Sequence, residues 1–269
     1  LARGTHAFFL DTDGGSRFCL HHTAPGTPRG AVLFVHAFAE EMHKSRRMVA
    51  LQARALCAAG FDVLQIDLKG CGDSSGNFGD ASWDDWLTDV QSGCVALTAR
   101  SPAPLWLWGH RTGALLACEI VARSTVPARL LLWHPVASGA QFLNQFLRIR
   151  LIAQGEGGAE REDTRSLRAT LAAGRALEVG GYMLSPALST GLDRSTLQAP
   201  PPGSRVCWLD VVHAPDAPAP ATSYRLAQAW ARQGVDLSHQ AVPGVPFWQT
   251  QEISECEALI AQSLESMLD

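Results

Sequence analysis

The chain has 269 residues, 46% hydrophobic and 18% charged, with a formal net charge of −4. That is ample apolar material for one large buried core, and the slightly acidic balance excludes a general nucleic-acid binder, which needs a basic face. The seven cysteines are scattered with no C-x-x-C pair, no apolar run is long enough for a bilayer, and the first residues lack a signal-peptide pattern, so a reduced cytoplasmic protein without a membrane span is expected.

In chain order, Ala7–Leu10 and Arg17–His21 flank the turn Asp13-Gly-Gly and predict a hairpin. Ala31–Val35 is a continuous apolar run, the pattern of a parallel strand covered on both faces, and it leads into His36-Ala-Phe-Ala-Glu-Glu41. A helix is predicted from Ser45 to Ala59, closed by Gly60, then a strand over Phe61–Ile66 and a loop from Asp67 to Gly76. Ser82 predicts the cap of a helix reaching Ala99, with Asp84 and Asp85 in the first turn, where the helix dipole favours acids. Leu105 begins a short apolar strand that turns between Gly109 and Gly113 into an apolar helix ending near Ala122, and the strand Arg129–His134 follows.

Pro135 breaks this alternation. From there to Ser204 no strand is predicted; Gln141–Gln154 and Ser166–Leu177 read as helices separated by a loop at Gly155–Gly158. The alternation resumes with a strand Val206–Val212, a helix Ser223–Arg232, a strand Val235–Val242 and a helix Glu252–Leu268. The expected fold class is α/β: a mostly parallel eight-stranded sheet flanked by helices. Its core is expected in 1–135 and 205–269, with a helical cap inserted at 136–204.

Gly109-His-Arg-Thr-Gly113 occupies the strand–turn–helix context of the nucleophile elbow G-x-S-x-G. Together with the His36 loop, the Asp67-x-x-Gly70-x-Gly72-x-Ser74 loop, the inserted cap and the closing strand–helix pair, it makes the chain resemble the α/β-hydrolase superfamily along nearly its whole length. More narrowly, Phe38-Ala-Glu-Glu-Met with Lys44-Ser-Arg-Arg47, the 67–76 loop, Leu107-Trp-Gly, Leu131-Leu-Trp and Pro243-Gly-Val-Pro-Phe-Trp-Gln249 resemble the hydrolase 2 type associated with exosortase A systems. That resemblance implies a hydrolase of an ester, thioester or acylated glycan, linked to exopolysaccharide production.

A working triad on this fold needs Ser, then Asp or Glu, then His, in chain order. Arg111 stands in the nucleophile position, and a guanidinium cannot attack a carbonyl. Asp216 matches the acid best, with Asp210 earlier in the strand. Phe247 falls where the histidine belongs, and no histidine follows His239. Other nucleophiles on offer are Thr112, Cys71, Ser74 and Ser138, none with a motif behind it. His36, His110 and His134 each end a strand, so their imidazoles could meet at a metal with Asp67 or Asp216, although the matches to the H-G loop and to G-H-S-x-G favour structural roles. No metal or cofactor is expected.

Two readings remain open. One is a hydrolase with a degenerate triad, in which His36 and His110 activate water beside Arg111 and Asp216. The other is a binding or assembly protein that holds an anionic small molecule or glycan. There the ligand would meet Arg111, the amides of Thr112 and Ala37, and a lining of Phe38, Phe247 and Trp248. Within the second reading, Arg111 is expected either to meet a ligand or to be buried against Asp216 or Glu40. The run His43-Lys44-Ser45-Arg46-Arg47 is expected to be a solvated basic face.

Overall fold

Eight strands hydrogen-bond into one sheet in the order β1-β2-β4-β3-β5-β6-β9-β10. In sequence these are β1 Thr5–Thr12, β2 Gly15–His22, β3 Gly30–Val35, β4 Phe61–Ile66, β5 Leu105–His110, β6 Arg129–Trp133, β9 Arg205–Val212 and β10 Asp236–Pro243. β1 and β2 form an antiparallel hairpin and β2 runs antiparallel to β4; every other pair is parallel. This computed structural model describes residues 4–153 and 162–269; the predicted loop at Gly155–Gly158 and the last residue of the predicted helix Gln141–Gln154 lie outside them.

Alternation along the strands sends their side chains to two separate apolar layers. Val32, Phe34, Trp106, Trp108, Leu131 and Trp133 pack beneath α1 (Glu40–Ala58) and α8 (Glu257–Leu268). Leu33, Val35, Leu107, Leu130, Leu132 and Trp208 pack beneath α2 (Trp83–Thr98), α3 (Gly113–Ala122) and α7 (Ala221–Arg232). Both faces of the central strands are therefore dry, which is why those strands read as unbroken apolar runs.

One buried ion pair fastens the β1–β2 hairpin to the body. Arg17 Nε donates to Asp89 Oδ1 of α2 at 2.6 Å, and both side chains are 2% exposed. The other Asp89 oxygen accepts the Lys69 amide at 2.7 Å, and Arg17 also reaches the Gly14 carbonyl and Ser75 Oγ.

The elements differ from the predicted ones at α1, at α8 and between β6 and β9. α1 begins at Glu40, five residues before the predicted start at Ser45, because Glu40 and Glu41 suit its first turn and Ser45 Oγ bonds back to the Glu41 carbonyl inside the helix. α8 begins at Glu257, later than Glu252. Between β6 and β9, α4 (Gly139–Ala153) and α5 (Thr164–Ala172) are followed by an unpredicted helix, α6 (Pro186–Arg194), and before it by an unpredicted hairpin, β7 (Leu177–Val179) and β8 (Tyr182–Leu184). Its strands are only three residues long, too short to show a period of two, and only the Gly180-Gly181 turn betrays them. Leu177, predicted as the end of a helix, opens β7.

The elbow depends on backbone contact that a side chain forbids. A Cβ on Gly113 would lie 2.1 Å from the Val35 carbonyl oxygen and 2.6 Å from that of His36. One on Gly109 would lie 2.5 Å from Ala114 Cα. The start of α3 is thus pressed against the end of β3. Gly113→Ala is expected to cost more than about 3 kcal/mol or to abolish folding, read by urea denaturation; an unchanged midpoint would mean the elbow has room to relax.

Candidate functional site

Arg111 sits at the tip of the elbow with φ 55°, a left-handed conformation that non-glycine residues adopt only when the surroundings impose it. Its amide donates to the Trp133 carbonyl at 3.0 Å, and its carbonyl accepts from the amides of Ala114 and Val136, each at 3.2 Å. The turn is therefore the strained elbow its glycines predict, with a cation at its tip.

That cation is paired. Arg111 Nε lies 3.3 and 3.2 Å from the two Glu41 carboxylate oxygens, and Nη2 lies 3.1 Å from Oε1. Nη1 donates to the His134 carbonyl at 3.4 Å, and the Trp248 ring covers the guanidinium with its centroid 5.2 Å from Cζ. The expected partners Asp216 and Glu40 are corrected here to Glu41. The reason is the early start of α1, which turns its second residue inward while Glu40 instead accepts from the Tyr182 hydroxyl at 3.2 Å. Two adjacent glutamates look alike in sequence, and only the helix start tells them apart. Burial pushes the Glu41 carboxyl up from its ordinary range, with Arg111 pulling the other way.

Asp216 lies exposed in the loop after β9 and forms no hydrogen bond or ion pair among the described residues. The acid that is built into the structure is Asp210, 1% exposed. It accepts from His239 Nε2 at 2.8 Å. Its other oxygen lies 3.5 Å from His134 Nδ1, but that nitrogen already accepts the Val211 amide at 3.1 Å, so the carboxylate oxygen faces a lone pair and has no donor. Burial and the Arg111 charge lower the His134 imidazole to about 4, which keeps it neutral.

His36 and His110 are both committed inside the protein. His36 Nδ1 donates to the Ala37 carbonyl at 2.8 Å and Nε2 accepts the Leu68 amide at 3.1 Å, fixing the loop after β4. His110 Nε2 lies 2.9 Å from Ser45 Oγ, whose own proton goes to the Glu41 carbonyl at 2.6 Å. Both imidazoles titrate below their ordinary value because they are buried, His110 well below it. The three strand-end histidines thus bond to separate partners, His134 through Nδ1, and no group of three or more metal-ligating residues forms among the described residues.

The segment after β10 supplies aromatic rings beside the elbow. Phe247 is fully buried and stacks on His110, with centroids 5.4 Å apart. Of the two rings expected to line the pocket, Trp248 lies against Arg111 and lines the cavity, while Phe247 does not line it. Ala37 and Thr112 are buried beside the elbow, 1% and 2% exposed. The remaining nucleophile candidates serve as structure. Ser74 donates to the Asp67 carbonyl and accepts the Phe18 amide, and burial raises the Cys71 thiol far above its usual value. Ser138 accepts the Gln141 amide at the start of α4. In the basic run, Arg46 pairs with Asp67 and Arg47 with Glu255, while Ser45 points inward.

A cavity of about 290 Å³ opens between α1, α4 and the Trp248 segment. Phe38, Phe142, Phe146, Ile149 and Trp248 wall it, with Glu41 and Lys44 at its polar edge. Two larger clefts, about 550 and 520 Å³, lie around α5 and α6 and hold none of the elbow residues. No described helix is long and apolar enough to cross a membrane.

The sequence model of the serine aminopeptidase S33 family matches residues 26–153, the part of the chain that carries β3 through α4. A search of curated protein sequences returned no match. Among solved structures, Est1E from Butyrivibrio proteoclasticus with ferulic acid bound is similar over 97% of this chain and 98% of its own, at 18% identity and a TM-score of 0.69. A thermostable carboxyl esterase from Bacillus coagulans in complex with glycerol is similar over 90% and 91% of the two chains, at 16% identity and a TM-score of 0.62. The thioesterase domain from the curacin biosynthetic pathway matches over 98% and 99%, at 14% identity and a TM-score of 0.57. At such identities the likeness is one of fold. Sheet order, elbow and these likenesses agree: the chain has the α/β-hydrolase fold.

Proposed function

We propose that this protein binds a small-molecule or glycan ligand in the cavity beneath its cap, without serine hydrolysis at the elbow, and that it works in an exopolysaccharide- or exosortase-linked system. The observation that carries the reading is the Arg111–Glu41 ion pair under Trp248. A guanidinium that is always protonated, paired and covered cannot attack a carbonyl. In a well-studied triad enzyme, loss of the serine alone costs about 10⁶-fold in turnover, roughly 8 kcal/mol of barrier. The segment expected to carry the base holds Phe247 and Trp248 instead. Water activation is disfavoured because His36 is bonded at both ring nitrogens, and the His110 ring is fully buried with Nε2 on Ser45 and Nδ1 3.3 Å from the Trp133 carbonyl.

A small-molecule ligand is supported by the aromatic walls and by the ferulic acid and glycerol named with two fold neighbours. The link to exopolysaccharide systems rests on the five sequence blocks that resemble the exosortase-associated type. An ester and thioester panel on the purified chain and on Arg111→Ser tests the reading. Neither protein is expected to exceed the buffer blank, because a restored hydroxyl still lacks a base. Turnover by the unmodified chain that disappears in His36→Ala or His110→Ala would reinstate a hydrolase.

A further inference from the structure

Resting on that reading of the cavity, we propose that its ligand is a carboxylic acid with an aryl or short acyl body, whose carboxylate takes the place of Glu41 on the Arg111 guanidinium. Glu41 grips Arg111 side-on, with Nε 3.2 Å from Oε2 and Nη2 3.1 Å from Oε1. This two-pronged arrangement is how a guanidinium recognises a free carboxylate in general. From within the chain, Glu41 therefore displays the head group that the site accepts.

Position makes the exchange possible. Glu41 lines the cavity and Arg111 does not, so the glutamate stands between the cavity and the guanidinium. Its carboxylate bonds to no group but Arg111 among the described residues, and it is borne on the first turn of α1. Lys44, one turn further along, lines the same cavity, forms no hydrogen bond or ion pair among the described residues, and lies close enough to attract the Glu41 charge. A displaced Glu41 thus has a cation to turn to. Charge is conserved throughout: Arg111 trades one carboxylate for another, and Glu41 passes from Arg111 to Lys44. Glu40, the remaining acid at the rim, is engaged by the Tyr182 hydroxyl.

The walls set the body of the ligand. Phe38, Phe142, Phe146 and Trp248 form the apolar side of a space of about 290 Å³, which suits a ring or a short chain, and the polar groups lie along its other side. The acid 3-phenylpropionate has both features, and 3-phenylpropanol keeps the body while losing the charge.

Calorimetric titration of the full chain with this pair is the test. The unmodified protein is expected to bind the acid about tenfold more tightly than the alcohol, a difference of about 1.4 kcal/mol. Glu41→Gln removes the competing carboxylate at nearly constant volume and is expected to tighten the acid several-fold while leaving the alcohol unchanged. The double variant Arg111→Met with Glu41→Leu, its fold verified by circular dichroism, is expected to lose the preference for the acid. Equal binding of acid and alcohol, or a Glu41→Gln variant that gains nothing for the acid, overturns the exchange; alcohol binding in that case leaves the cavity standing as a ligand site. Binding of neither probe overturns both. If Glu41→Gln does not fold, the double variant decides: an acid preference that persists without Arg111 refutes the proposal.

Discussion

Asp89→Ala is expected to lower the unfolding free energy by about 3–5 kcal/mol, because it strands a buried guanidinium. Arg17 and Asp89 are each 2% exposed, and the arginine has no route to water once its carboxylate is gone. The carboxylate also accepts the Lys69 amide, so the loop between β4 and α2 loses an anchor in the same step. For a chain of this size, a loss of that order lowers the melting temperature by roughly 10 °C. Replacing both partners, Arg17→Met with Asp89→Leu, is expected to recover much of the loss, because neither charge then needs a partner. Thermal and urea denaturation of the three variants measures this. A single variant no worse than the double would show that the pair contributes packing and not charge compensation.

Acidification is the second large perturbation, and its sign follows from the histidines. His134 titrates at about 4 in the folded protein against an ordinary value near 6.5. Between those values the unfolded chain takes up a proton that the folded chain refuses, so folding stability rises with pH across the window. The contribution is complete above about pH 6.5 and is lost as the pH falls towards 4. For His134 alone it amounts to roughly 3 kcal/mol, at about 1.4 kcal/mol per pH unit. His36 and His110 are shifted the same way by burial and steepen the loss. Glu41 and Asp89, whose carboxyls burial raises, act with the opposite sign at the acid end. Urea titrations at pH 7, 6 and 5 are expected to show a falling midpoint, with a shallower fall in His134→Asn. Asparagine tolerates the left-handed φ of 41° found there. Parallel pH slopes for the two proteins would remove His134 from the account.

Much of the fold is legible in the residues themselves. Unbroken apolar runs at 31–35, 105–108 and 130–133 follow from strands dry on both faces, and the cap at Ser82 and the glycines of the elbow mark turns that few other residues permit. The Gly180-Gly181 hairpin is hardly legible, since three-residue strands leave no period to read. Arg111 at the turn is plain in the sequence, because it falls between two glycines at fixed spacing.

The sequence by itself thus determined the sheet, the elbow and the cation at its tip, all of which depend on residue type and near-neighbour spacing. Tertiary structure alone decided what that cation meets. Glu41 lies 70 positions away and differs from Glu40 only in the direction that α1 gives it, and of the adjacent rings after β10 Trp248 covers Arg111 while Phe247 stacks on His110. Such pairings are set by through-space packing and the cost of leaving a buried charge uncompensated, and neither quantity has a local signature in the chain.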